Sequence, residues 1–311
     1  MIVRQPGHLT RCIALLGIGA VVLMVTPPDG DPAISLGDRA APGAIAFKCG
    51  DWLCLGRPDG SGRRRLLSAR LRYPFPQWDP AFSPDARQLA FRGYFASGDG
   101  SYALYVTGTD GCSPHMLTKG ATNPSWSPDG AWIAFDTSGG GTLWKIRPDG
   151  SGLTRIDTGL PGDRDSFPAW SPDGASIAFV HEDRIGRGQI WVVRAHGRAT
   201  LLHTDAGSSD ASPAWSPDGT RIAFVVQTRQ RARIDVMNAD GSRAHALVTS
   251  FYDTWNPVWA PRSSAVAYLS GIIGGTGAIR TPGPDRDAGR VALPPSPQFA
   301  WTPTDLPPRR C

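Results

Sequence analysis

Three octets, Asn123–Gly130, Phe167–Gly174 and Ser212–Gly219, share the pattern x-Pro-x-Trp-Ser-Pro-Asp-Gly, and Asp79–Ala86 repeats it more loosely, with Phe82 in place of the tryptophan and Ala86 in place of the glycine. A fifth copy, Asn256–Ser263, keeps Pro257 and Trp259 but lacks the turn acid. The aromatic anchors at 82, 126, 170, 215 and 259 are therefore 44, 44, 45 and 44 residues apart. Self-similarity at that interval marks four-stranded propeller blades, each too small to bury its own apolar face and stable only when stacked on its neighbours.

Each part of the repeat has a physical task. In Ser-Pro-Asp-Gly, proline sets φ at the second position of a β-turn, Asp tolerates the third and Gly the fourth. Short strands follow at Leu89–Phe91, Ile133–Phe135, Ile177–Phe179, Ile222–Phe224 and Val266–Tyr268, with large residues on one face and alanine on the other. The small face lets the next sheet approach closely. Third strands at Leu104–Val106, Leu143–Ile146, Ile190–Val193 and Ile234–Met237 lead to outer strands such as His115–Thr118 and Ala246–Val248. A tryptophan recurring once per unit at one phase reads as a blade-to-blade packing residue rather than a ligand box. Composition agrees: 37 Gly and 29 Pro, with Glu182 the single glutamate and Lys48, Lys119 and Lys145 the only lysines, favour turns over helix interiors.

The two ends complete the count. Ala44–Phe47, Trp52–Leu55 and Pro58–Ser61 are the middle and end of a repeat that lacks its opening, and Phe299–Asp305 supplies an opening, with Trp301 falling 42 residues after Trp259. The expectation is an all-β, six-bladed β-propeller of four-stranded blades over residues 44–305, the ring closed by a C-terminal strand that completes blade one and leaves no free sheet edge.

The Pro-x-Trp-Ser-Pro-Asp-Gly, Ile-Ala-Phe and Asp-Gly-Ser elements, repeated in register across residues 44–305, resemble the TolB-type propeller repeat. That resemblance implies a binding role in the periplasm, since TolB belongs to the Tol-Pal envelope system and its propeller binds a peptidoglycan-associated lipoprotein. TolB also carries an N-terminal α/β domain. Here only a Pro, Gly and Ala-rich linker, residues 27–43, separates the leader from blade one, so the expectation is a TolB-like protein without that domain. The repeat also accompanies some serine peptidases, but the chain has no Gly-x-Ser-x-Gly elbow.

Arg4, His8 and Arg11 precede an uninterrupted apolar run, Cys12–Val25, closed by Thr26, Pro27, Pro28 and Asp29. This is an export pattern, and residues 1–26 read either as a signal peptide or as an N-terminal membrane anchor, the run being shorter than the roughly 20 residues of a spanning helix. Export permits disulfides. Beyond Cys12 the cysteines are Cys49, Cys54, Cys112 and Cys311, an even number. Cys49 and Cys54 flank four residues, a hairpin loop that would set them opposite one another, and Cys112 with Cys311 would form a second bridge. Residues 306–311 read as a tail.

A function must be argued from a site. Asp79, Asn123, Asp165, Asp210, Ser212, Asp253 and Asn256 cluster just before or within the Pro-x-Trp element, on the strand expected to line the central channel. Two readings compete: a polar, mildly acidic mouth for a basic peptide segment or a cation, or solvated residues capping strand ends. Removing Asp165, Asp210 and Asp253 together is expected on the first reading to weaken binding without loss of stability. The histidines His115, His181, His196, His203 and His245 fall at scattered repeat phases and are not expected to converge on the axis. The chain thus reads as a monomeric, non-catalytic binding module for an envelope protein or peptide, with no cofactor; the alternative is a metal-assisted lyase or hydrolase with its site in the channel. Nucleic acid is not an expected partner, because a net charge of +5 is weak and only Arg63–Arg65 cluster.

Overall fold

The computed structural model describes residues 20–24, 43–49, 52–57, 62–67, 77–94, 102–137, 141–162, 164–194, 198–248, 253–260, 266–271, 278–280, 288–293, 299–302 and 306. The remainder of the expected leader, almost all of the 27–43 linker and most of the tail lie outside them.

The protein is an all-β propeller of antiparallel four-stranded blades, five of which follow the expected plan. Blade two runs Gln77–Phe82, Gln88–Tyr94, Tyr102–Gly108 and His115–Lys119. Blade three is Ala121–Trp126, Ile133–Thr137, Leu143–Ile146 and Thr154–Arg155. Blade four comprises Asp165–Trp170, Ser176–Glu182, Gly188–Arg194 and Thr200–His203. Blade five comprises Ser208–Trp215, Arg221–Thr228, Ala232–Asn238 and His245–Val248. Blade one is assembled from both ends of the chain: Phe299–Thr302 pairs antiparallel with Ala44–Cys49, Ala44 opposite Thr302, and Trp52–Gly56 and Arg64–Arg65 follow outward.

The remaining sheet departs from the plan. Asp253–Trp259, Val266–Gly271 and Ala278–Arg280 follow blade order, but Ala20–Met24 then inserts, parallel to Ala278–Arg280 and antiparallel to Ala288–Leu293, making five strands. Part of the apolar run expected in the leader, Ala20–Met24, is therefore a strand, consistent with its Val21 and Val22. First strands meet in chain order around the molecule, from 77–82 through 121–126, 165–170, 208–215 and 253–259 to 299–302, which meets 77–82 again.

The core lies between blades. Ala90, Leu104 and Val106 of blade two pack with Trp126, Ile133 and Phe135 of blade three. Ala178, Val180 and Ile190 of blade four likewise meet Ile222, Phe224 and Met237 of blade five. The alternation of large residues with alanine explains this, because Ala90, Ala134, Ala178 and Ala223 are all fully buried and leave room for the neighbour's side chains. The anchor tryptophans add a polar tie: Nε1 of Trp126, Trp215 and Trp259 donates to the carbonyls of Ala81, Ala169 and Ala214, one blade back, at 3.0, 3.2 and 2.9 Å.

The Ser-Pro-Asp-Gly turns form a second girdle. In each, the serine hydroxyl donates to the aspartate, as Ser171 does to Asp173 at 2.5 Å, and these bonds hold Asp129, Asp173 and Asp218 below the usual carboxylate range. Gly174 takes φ +70°, and a Cβ there would lie 3.2 Å from the ring of Pro128 in the preceding turn. Gly174→Ala is expected to lose about 1 to 2 kcal/mol from left-handed strain and this contact; urea denaturation of the variant measures it.

Cys49 and Cys54 form a disulfide, with Cα atoms 5.8 Å apart. Their register differs from the expected one: Cys49 faces Trp52 and Cys54 faces Phe47, so the bridge runs diagonally on one face of the hairpin rather than straight across it. Cys112 is also disulfide-bonded; its expected partner, Cys311, lies outside the described residues.

Candidate functional site: the inner strands and their carboxylates

Every first strand from blade two to the five-stranded sheet is bulged at its x-Pro pair. The register with the second strand slips between Trp78 and Ala81, Ser166 and Ala169, Ala211 and Ala214, and Trp255 and Val258, with the same slip in blade three. At the bulge Asp79, Asn123, Phe167, Ser212 and Asn256 take φ of 54, 51, 52, 49 and 47°. Proline has no N–H to give to the ladder and disfavours the right-handed helical region in the residue before it, so the bulge falls where pairing is already broken. Asp and Asn tolerate the left-handed region. Phe167 and Ser212 do not, and each stores strain on the order of 1 kcal/mol or more that the surrounding blades must hold.

Hydrogen bonds tie this ring from blade to blade. Asp136, on the second strand of blade three, is 1% exposed. Its carboxylate accepts the Thr122 hydroxyl, the Asn123 side-chain amide at 2.9 Å and the Phe167 backbone N–H of blade four at 2.7 Å. Burial raises its pKa, against the opposing effect of those donors and of Arg92. Further round, Ser212 Oγ donates to Asn256 Oδ1 at 3.3 Å, again joining equivalent positions of adjacent sheets. Asp79 ion-pairs with Arg92 at 2.9 Å, and the guanidinium stacks over Tyr102 at 4.8 Å.

Asp165 and Asp210 sit three residues before their prolines and are buried, at 4% and 1% exposure. Asp165 accepts from His181 Nδ1 at 2.7 Å and from the Thr158 hydroxyl at 2.8 Å. Asp210 is bound by His203 Nδ1 at 2.7 Å. Thr158 and His203 occupy equivalent places, seven residues before the carboxylate, where the chain leaves one blade for the next. Each therefore fastens a blade to its successor. Burial raises the pKa of both carboxylates; beside Asp210 the carboxylates of Asp235 and Asp205 add to the rise. His203 is raised in turn, chiefly by its bond to Asp210, and packs against Phe224 of blade five at 4.7 Å between ring centres.

Of the residues singled out in the sequence, the structure therefore brings Asp79, Asn123, Ser212 and Asn256 to one ring of bulges and puts Asp165 and Asp210 one step below it, paired within the protein. Because both carboxylates are hydrogen-bonded within the protein, their removal is expected to lower stability as well as to alter the mouth. Asp253 lies four residues before its proline, one out of phase with Asp165 and Asp210. Sequence reasoning missed Asp136, His181 and His203 as partners. The recurrent seven-residue interval to Asp165 and Asp210 was the available signal for Thr158 and His203. Among the described residues, no three His, Cys, Asp or Glu side chains gather in a metal-binding group.

The chain covers part of a curated relative, an uncharacterized protein (Atu1656) of Agrobacterium fabrum: 32% identity over 111 residues, 34% of this chain and 36% of the relative. Among solved structures, TolB from Acinetobacter baumannii superposes with a TM-score of 0.65 at 22% identity, over 83% of this chain and 66% of that one. A proposed TolB from Agrobacterium tumefaciens gives a TM-score of 0.58 at 20% identity, over 92% and 91%. At these identities the superpositions establish the shared propeller fold. In sequence, residues 143–280, from the third strand of blade three to the five-stranded sheet, match the family model of the TolB beta propeller domain.

Proposed function

We propose that the chain is an exported, six-bladed propeller that binds a protein or peptide of the cell envelope and carries out no chemistry of its own. The five-stranded sheet serves as the sixth blade: its first strand bears the same bulge at Asn256 and meets both neighbouring first strands. One observation carries the binding reading. The polar groups of the inner strands are bonded to each other across blade seams, Asn123 to Asp136 to Phe167 and Ser212 to Asn256, which makes a rigid, preorganised mouth rather than a set of groups poised to react. The TolB propeller match over 143–280 supports a partner of the envelope kind.

The test is a tagged full-length chain expressed in its native cell, fractionated, crosslinked with formaldehyde and recovered. The expected result is recovery from the envelope fraction with a specific protein attached. Recovery from the cytoplasm, or an envelope chain free of crosslinked protein, would remove this reading.

A further inference from the structure

A cleft of about 790 Å³ opens on the seam between blades three and four. Its walls carry Lys145 and Arg155 from blade three and Arg194 and Arg198 from blade four, against a single acid, Asp157. Its floor is apolar, with Ile177 and Val193 buried beneath it and Trp170 alongside. Arg194 and Arg198 are exposed. In a chain of modest net charge this is a local excess of positive charge on both sides of an apolar trough.

The seam itself is different here. Trp126, Trp215 and Trp259 each donate their indole N–H to a carbonyl one blade back. The Trp170 indole N–H is buried and has no hydrogen-bond partner among the described residues, and the Ser125 hydroxyl instead accepts the Trp170 backbone N–H at 3.2 Å. The seam where the cleft opens is thus one that lacks the indole tie found at three others. The opening coincides with a departure from the repeat at Trp170.

We infer that this cleft is a second docking site, for an acidic peptide segment of a partner protein, with carboxylates set against the exposed Arg194 and Arg198 and an apolar side chain resting on Trp170. Charge complementarity selects the occupant, and the cleft is within the size range that holds a ligand rather than a bare ion. A lone inorganic anion would leave the apolar floor uncovered. A membrane surface would not follow charge into a recess. The inference rests on the chain being a binding module but not on the mouth being the place of binding.

The experiment uses the full chain and a fluorescent octapeptide of alternating acidic residues and leucine, read by anisotropy. Its comparators are the lysine counterpart, inorganic phosphate and phosphatidylglycerol vesicles. The acidic peptide is expected to bind, more weakly as salt rises, and at least about tenfold more weakly to the Arg194→Glu/Arg198→Glu double variant. Ala175→Trp narrows the cleft without changing charge, and it too is expected to weaken binding at least about tenfold, with circular dichroism of both variants showing that they fold. Failure of the acidic peptide to bind overturns the inference, as does equal binding by the lysine peptide or by both variants. Phosphate competing at the same concentration, or vesicles binding where the peptide does not, overturns it in favour of a bare anion or a lipid surface. If the peptide fails while the envelope crosslink survives in the double variant, only the cleft assignment falls; loss of the crosslink from the unaltered chain removes the binding reading itself.

Discussion

Asp136→Ala is expected to lower stability by about 3 to 5 kcal/mol, the range for stripping a buried, fully engaged carboxylate from its partners. Three donors converge on this side chain: the Thr122 hydroxyl, the Asn123 amide and the Phe167 backbone N–H. Alanine leaves all three without an acceptor in a place where Asp136 is only 1% exposed, so water does not easily replace it. The Phe167 N–H matters most. It belongs to a residue at φ +52°, held in a conformation that a phenylalanine rarely adopts, and the bond to Asp136 is part of what holds it there. Asp136→Asn keeps the shape but offers one acceptor oxygen, and it presents an amide N–H toward a donor on the other side; an intermediate loss is expected. Urea denaturation of the three chains, followed by far-ultraviolet circular dichroism, checks the order. An alanine variant within about 1 kcal/mol of wild type would show that the three donors find other partners.

The same residue shows what the sequence discloses and what it hides. The 44-residue spacing of Phe82, Trp126, Trp170, Trp215 and Trp259 is legible because each aromatic does one packing job at one phase. The joining of Phe299–Thr302 to Ala44–Cys49 is legible for the same reason, since an incomplete repeat at each end has one obvious complement. Asp136 is hidden by that very logic. Its phase is filled by Arg92, Val180 and Val225 in other blades, so nothing in the repeat marks it as a hub, and its partner Phe167 lies 31 residues away across a seam. Periodicity locates strands; it does not say which side chains meet where two blades touch. Asp165 and Asp210 were visible as carboxylates near the expected mouth, but their burial depends on His181 and His203, whose places are set by different strands of the repeat. Ala20–Met24 is a similar case. A short apolar run suits an export leader and a sheet strand alike, and hydropathy alone cannot separate them.

His203→Leu tests the other seam, with a signature in pH. The imidazole donates to Asp210, which is 1% exposed, while Asp235 and Asp205 lie close enough to act on the pair and Arg233 is held by Asp235 at 2.7 Å. Leucine fits beside Phe224 but leaves the Asp210 carboxylate buried among other acids without its cation, and a loss of about 3 kcal/mol is expected near pH 6. The sign of the pH dependence follows from the two shifts. His203 has a folded pKa above its ordinary value, so its contribution is fully present below about pH 6.5 and is lost as pH rises through the folded pKa. Asp210 is also raised, so the folded chain takes up its proton more readily than the unfolded chain does, and acid relieves the stranded carboxylate of the variant. The difference in stability between wild type and variant should therefore peak between the two titrations and shrink on either side, toward alkali as the imidazolium is lost and toward acid as Asp210 is neutralised. Denaturation midpoints of both chains from pH 4 to 9 give that difference directly. A gap that stays constant across the range would mean that His203 acts at this seam through its packing on Phe224 alone, with no charge on the ring to bind the two blades.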